Sequence, residues 1–512
     1  MKKDTILRHP LFEILKTFSK NELHYLRKFL NSPYCNNRKI LLSIYDRIIK
    51  FYPYFNSKML TKEYIYGAIS NSEDYNDNSI RGLISMLNNS VHNFIISEKI
   101  QSDELVCANY LLKELNRRNL QKSFMHKIET TEKQFGKIGI TDTRFFFQKF
   151  LYDIQKLNYS FLHDDTGSAK KHVEMHADKI DGIAISLYLN FISEVISDYI
   201  KLIVYHYTYG TEYNNSVFKK IVDSIRPENF QMVTNEKTSY GYFLELYTKL
   251  LNSFEKVDDD AIFSEYKRTV FQYSEYLSKD ELGFQISSLL NLCEIKRSLS
   301  LSESILKEEF ELYLFLVKND LYKESKTDIL PLDLFRNVII AGLKLGKFSE
   351  VEEFINANYK KLHEEERTNC YNYGYAMLKF AQGEFNESIK FNLQVTLDHF
   401  MFKFDLRNLT LKIYYEGGEF VKAKDMIYQY HRFLKESEFV NPERMQFQSN
   451  FLDYTEQLIK YQTALEKNNT DMEFLKTKIS DEKQTSNKEW LLQKVDELTA
   501  KKKEQEKEKE VK

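Results

Sequence analysis

Apolar residues recur at helical spacing along nearly the whole chain. Leu23, Leu26, Phe29 and Leu30 keep one face apolar, and Ile40, Leu41, Ile44 and Ile48 repeat the pattern one segment later. Both runs have marked ends. Ser19-Lys-Asn-Glu22 reads as a capping box, Asn31-Ser-Pro33 closes the first helix, and Pro53 follows the second. A short helix is predicted over Thr61 to Ile69. Tyr75-Asn-Asp-Asn78 then introduces a long helix with Ile80, Leu83, Ile84, Leu87, Val91, Phe94 and Ile95 on its stripe. Residues 1–100 are predicted to form an N-terminal helical bundle. No strand pair follows the long helix, which argues against a winged-helix module.

From 101 to 330 the helical period continues with weaker punctuation, as in Phe146, Phe147, Phe150, Leu151, Ile154 and Leu157. Breaks are expected near Gly136 to Thr143, Asp164 to Ser168, Tyr209 to Asn215, Pro227, and Asp258 to Asp260. Ser278-x-x-Glu281 and Ser300-x-x-Glu303 read as further capping boxes. Gly182 to Ser193 is uncharged but too short to span a bilayer, so it reads as a helix buried on most sides.

Composition sharpens the fold class. The chain has 6 prolines and 15 glycines against 35 tyrosines and 38 phenylalanines. Few helix breakers with many large rings point to an all-α protein of helices packed on helices. Lys and Arg (73) nearly balance Asp and Glu (75), so no global field draws in nucleic acid or an anionic membrane. Cys35, Cys107, Cys293 and Cys370 are too far apart for a CxxC site and read as reduced thiols. The opening Met1 to Pro10 lacks the apolar core of a secretory signal. A cytoplasmic location and no membrane span are expected. The abundance of Lys, Asn, Ile, Tyr and Phe fits an AT-rich bacterial genome.

A repeat emerges from Pro331 onward. Gly346-Lys-Phe348, Gly383-Glu-Phe385 and Gly418-Glu-Phe420 each separate two helical runs, and Val351, Ser388 and Ala423 stand five residues after the glycines. Glycine permits a left-handed turn, the aromatic packs beneath it, and the small or modest side chain lets helix B lie close to helix A. A looser echo without glycine occurs at Arg118-Asn-Leu120-Gln-Lys-Ser123. This pattern resembles the tetratricopeptide repeat (TPR) over about 331–435. The resemblance implies an α-solenoid with 101–330 as degenerate repeats, 331–465 as TPR-like repeats and 466–512 as a charged helical or disordered tail. It further implies a concave groove lined by A helices, with Arg336, Ile340, Tyr373, Met377, Asn408 and Lys412 facing a peptide or partner helix. Trp490, on a last helix that Ser486-x-x-Glu489 is expected to cap, either docks back onto the array or anchors a partner.

Phosphate-cradling glycine loops and hydrolase signatures are missing from the sequence. His172-x-x-x-His176, with Glu174, Asp178 and His163-Asp164-Asp165 nearby, has the i, i+4 spacing of a chelate, though two histidines on a solvated face satisfy the same spacing. Asp258-Asp-Asp260 reads as a solvated loop. The aromatic runs Phe145-Phe-Phe147 and Tyr205-His-Tyr207-Thr-Tyr209 read as core rather than base-stacking platforms. The expectation is a non-catalytic interaction scaffold with a protein or peptide partner and no metal or cofactor. The alternatives are a regulator whose N-terminal bundle binds nucleic acid and a metal-dependent hydrolase using His172 and His176.

Overall fold

The computed structural model describes residues 9–67, 76–135, 141–163, 169–212, 216–224, 240–299, 303–322, 329–396, 400–436, 442–464, 472–482 and 485–510. The predicted breaks at Asp164 to Ser168 and Pro227, the Ser300 cap, and the side chains of His163, His172, Glu174 and Asp178 lie outside these residues. Among the described residues the chain is all-helical, and its only extended pairing is one isolated bridge between Thr141 and Leu277. The chain divides into two compact units, Met1–Lys296 and Arg297–Lys512.

The first unit opens with α1 (Pro10–Lys16), α2 (Lys20–Asn31), α3 (Lys39–Ile48), α4 (Lys62–Tyr66) and α5 (Asp77–Gln101). The Ser19 box forms as expected: the Glu22 amide donates to Ser19 Oγ at 3.2 Å and the Ser19 amide to Glu22 Oε2 at 2.7 Å. The apolar stripes of α2, α3 and α5 meet in one cluster with Leu26, Ile44, Leu87 and Val91 fully buried. Ile95 falls off that stripe and is exposed. Tyr45 fixes α3 to α2 by donating its hydroxyl to the Leu23 carbonyl at 2.8 Å.

The chain continues through α6 (Glu104–Arg117), α7 (Gln121–Phe135), α8 (Thr143–His163), α9 (Ala169–Tyr209), α10 (Val217–Ser224), α11 (Gly241–Glu255), α12 (Asp260–Tyr273) and α13 (Lys279–Leu299). The stretch Lys179–Thr208 of α9 is long and apolar enough to cross a membrane by length and composition, with a third of its apolar window buried. The uncharged segment Gly182 to Ser193 is less covered than its composition suggested. Ile185, Leu189 and Ile192 are buried, whereas Leu187 and Phe191 are exposed. Among the described residues, the neighbours of α9 here cover only one side of it.

Glu281 departs from its expected role for a traceable reason. The Glu281 amide donates to Ser278 Oγ as a cap requires, but the Ser278 amide is taken by the Thr141 carbonyl at 3.0 Å. The Glu281 carboxyl therefore turns inward. It accepts from the Tyr247 hydroxyl at 2.9 Å and from Gln285 Nε2 at 2.8 Å, with Tyr266 donating in turn to Gln285 Oε1 at 2.6 Å. Burial pushes the Glu281 carboxyl up to about 7.

The second unit contains α14 (Glu303–Lys318), α15 (Leu332–Lys344), α16 (Phe348–Asn358), α17 (Arg367–Ala381), α18 (Phe385–Asn392), α19 (Phe400–Glu416), α20 (Phe420–Glu436), α21 (Pro442–Ala464), α22 (Met472–Asp481) and α23 (Lys488–Glu510). Gly346, Gly383 and Gly418 sit at φ +69°, +80° and +71° in the turns α15–α16, α17–α18 and α19–α20. Each turn closes with the same bond: the Lys347, Glu384 and Glu419 amides donate to the Gly342, Lys379 and Tyr414 carbonyls at 3.0, 2.8 and 2.9 Å. Val351, Ser388 and Ala423 are each fully buried. A Cβ on Gly342 would come within 2.4 Å of Val351, so glycine there permits the close approach of α15 and α16. Asn119 (φ +56°) and Asp320 (φ +54°) make the same closure with Leu120 and Leu321 donating to Leu115 and Leu316. They stand in for glycine because Asn and Asp tolerate the left-handed region.

Two outcomes follow. Gly383→Ala meets no atom within 4 Å, so only the backbone conformation opposes it. Urea unfolding is expected to show a loss of about 1–2 kcal/mol. For Glu281, the folded form holds a proton that the unfolded chain releases above about pH 4.5. Stability of the wild type relative to Glu281→Gln therefore falls between about pH 4.5 and 7, by roughly 2–3 kcal/mol. A flat difference across that window contradicts the burial account.

Candidate functional site

The six groove positions come from three helices, two each from α15, α17 and α19. The structure joins two of them, Arg336 and Tyr373, in a polar seam centred on a further residue, Asp405. Asp405 of α19 accepts from Arg336 of α15 through Nε and, at 2.9 Å, through Nη2. It also accepts from the Tyr373 hydroxyl of α17 at 2.9 Å. The Arg336 and Asp405 side chains are 17% and 13% exposed, so this fork is largely shielded from water. Burial alone would lower the Arg336 pKa, but hydrogen bonding and charge from Asp405 outweigh it and hold it raised. Burial first, and the Asp405 charge second, push the Tyr373 hydroxyl well up.

Asp405, Asn408, Lys412 and Glu416 recur three to four residues apart and share one face of α19. Asn408 is buried, and its Oδ1 has no hydrogen-bond partner. Lys412 donates to Asn487 Oδ1 at 3.2 Å and lies 5.0 Å from the Phe380 ring centre. Burial lowers its pKa to about 8. Glu416 accepts from Trp490 Nε1 at 2.7 Å and pairs with the buried Lys494 at 2.8 Å. Ile340 and Met377, the two apolar groove positions, are half-buried.

The helix α23 thus closes one end of this face. It begins at Lys488 after Asn487 at φ +52°, one residue later than a Ser486 cap would set it, and Glu489 reaches Lys344 instead. Trp490 packs edge-on to Tyr415 at 5.2 Å and Phe451 at 6.0 Å. Leu491, Val495 and Leu498 join the buried cluster of α20, α21 and α22. Of the two roles open to Trp490, the structure shows docking back. The helix is mostly charged, yet its heptad-spaced apolar residues suffice for one buried stripe.

The other candidates are more widely scattered. His176 is buried with its ring 4.4 Å from that of Phe161, while the His172 side chain lies outside the described residues. Among the described residues no three His, Cys, Asp or Glu side chains gather to hold a metal ion. Asp259 caps α12 and Asp260 pairs with the buried Lys296 at 2.6 Å. Phe145 and Phe146 pack against Tyr240, whereas Phe147, Tyr205 and Tyr207 are exposed. In the N-terminal bundle Arg27 pairs with Asp46, and Arg47 donates to the Tyr64 and Gly67 carbonyls.

Compared with protein-family models, curated proteins and solved structures, the chain matches none of them. The site therefore rests on its own geometry. Asp405 was findable: it is a lone acid three residues before Asn408 in an apolar stretch, on the face assigned to the groove.

Replacing Asp405 alone by Leu strands the buried Arg336. Urea unfolding is expected to show a loss of about 3–5 kcal/mol, most of which Arg336→Met with Asp405→Leu restores. Equal losses in the single and double variants contradict a charge-based seam.

Proposed function

We propose that the chain is a non-catalytic interaction protein whose second unit is a short TPR-like solenoid. The observation that carries this reading is the threefold recurrence of one joint, with a left-handed glycine, the same closing bond and a buried side chain five residues on. Such helix pairs cannot each bury their apolar faces alone, and stacking them produces extended surfaces suited to a peptide or partner helix. The seam modifies where that partner contacts the face. Arg336 and Tyr373 are committed to Asp405, and Lys412 to Asn487 and Phe380. The partner's contacts fall instead on Ile340 and Met377, the half-buried apolar positions of α15 and α17.

The test is affinity capture from native cells with the full chain, quantified for each recovered protein, beside Ile340→Arg and Met377→Arg. Both variants place the new charge at a half-buried site, and far-UV circular dichroism confirms retained helix. The reading expects a discrete partner whose recovery falls by about tenfold or more in each variant. Recovery unchanged in both variants overturns it.

A further inference from the structure

The first unit contains a cleft of about 460 Å³ where α5, α6, α8 and α9 converge. Its volume lies in the range of small-molecule sites, about 300–1,000 Å³. A site of that size suits a small molecule.

Its wall is built from register. Lys99 and Ile100 stand next to each other at the end of α5, while Arg144 and Phe147 of α8 and Asn190 and Glu194 of α9 each share one helix face. Ile100 and Phe147 remain 39% and 42% exposed although they line a concavity, so apolar surface is held open there. Two of the charges in the cleft are already committed. Asp103 caps α6 by accepting from the Leu105 and Val106 amides, and Arg144 pairs with Asp280. Lys99 and Glu194 make no ion pair or side-chain hydrogen bond among the described residues, and they come from different helices with opposite sign. Asn190 donates its amide to the Thr143 carbonyl at 3.0 Å, which leaves its Oδ1 to accept.

A ligand matching this wall carries an anion for Lys99, a cationic donor for Glu194 and Asn190, and an apolar body for Phe147 and Ile100. We propose that the cleft binds a free amino acid with a large apolar side chain. The assignment is independent of the partner surface on the second unit, so either can fail alone.

The test is isothermal titration of the full chain with L-phenylalanine, 3-phenylpropionate and 2-phenylethylamine. The expected result is saturable binding of L-phenylalanine with Kd at or below about 1 mM. Each analogue, which lacks one charge, binds about tenfold more weakly. Lys99→Ala weakens L-phenylalanine about tenfold and leaves 2-phenylethylamine unchanged, and Glu194→Gln does the reverse with 3-phenylpropionate as the unaffected ligand. Both residues are exposed, so the variants are expected to fold, which far-UV circular dichroism checks. No saturable binding of L-phenylalanine overturns the proposal. So does an analogue that binds as tightly, or binding that both variants leave intact.

Discussion

Asp405 is the constraint on which the second unit depends. One carboxylate, shielded from water, accepts from a guanidinium on α15 and a phenol on α17 while standing on α19. Removing a charge from water is unfavourable by several kcal/mol unless it is fully paired, so the three helices are held to a single relative placement. The apolar contacts around them are less selective, because neighbouring registers could bury similar area. The polar seam supplies specificity that hydrophobic burial alone does not.

The glycine joints and the seam act on different parts of each helix pair. At the turn, a positive φ lets the second helix reverse, and a side chain buried five residues later sets how closely it lies against the first. Across pairs, Asp405 and its partners set the register of the first helices. At the far end Glu416 repeats the device with Trp490 and Lys494, so α23 finishes the face instead of leaving it open. A charged segment acts as a structural cap because a single stripe of Leu491, Val495 and Leu498 is enough to seat it.

Helix content, the capping box at Ser19 and the glycine joints were legible in the residues because each depends on local chemistry. Asn119 showed only as a looser echo and Asp320 was missed, because a search for glycine overlooks the other residues that tolerate the left-handed region. Glu281 was read as half of a cap; only the Thr141 carbonyl, which takes the Ser278 amide from 137 positions away in sequence, releases it to the interior. The six positions assigned to a groove fall on α15, α17 and α19, but the engagement of Arg336, Tyr373 and Lys412 within the chain was hidden. Whether Arg336 faces a partner or an internal acid depends on Asp405, 69 residues away. Long-range polar pairing of this kind leaves no periodic trace.

The most direct test is amide hydrogen exchange, helix by helix, in the wild type and Asp405→Asn. If the carboxylate ties three helices into one cooperative element, α15, α17 and α19 lose protection together and by similar factors. Faster exchange confined to α19 would contradict it, and would mean that the three helices are held by apolar packing alone.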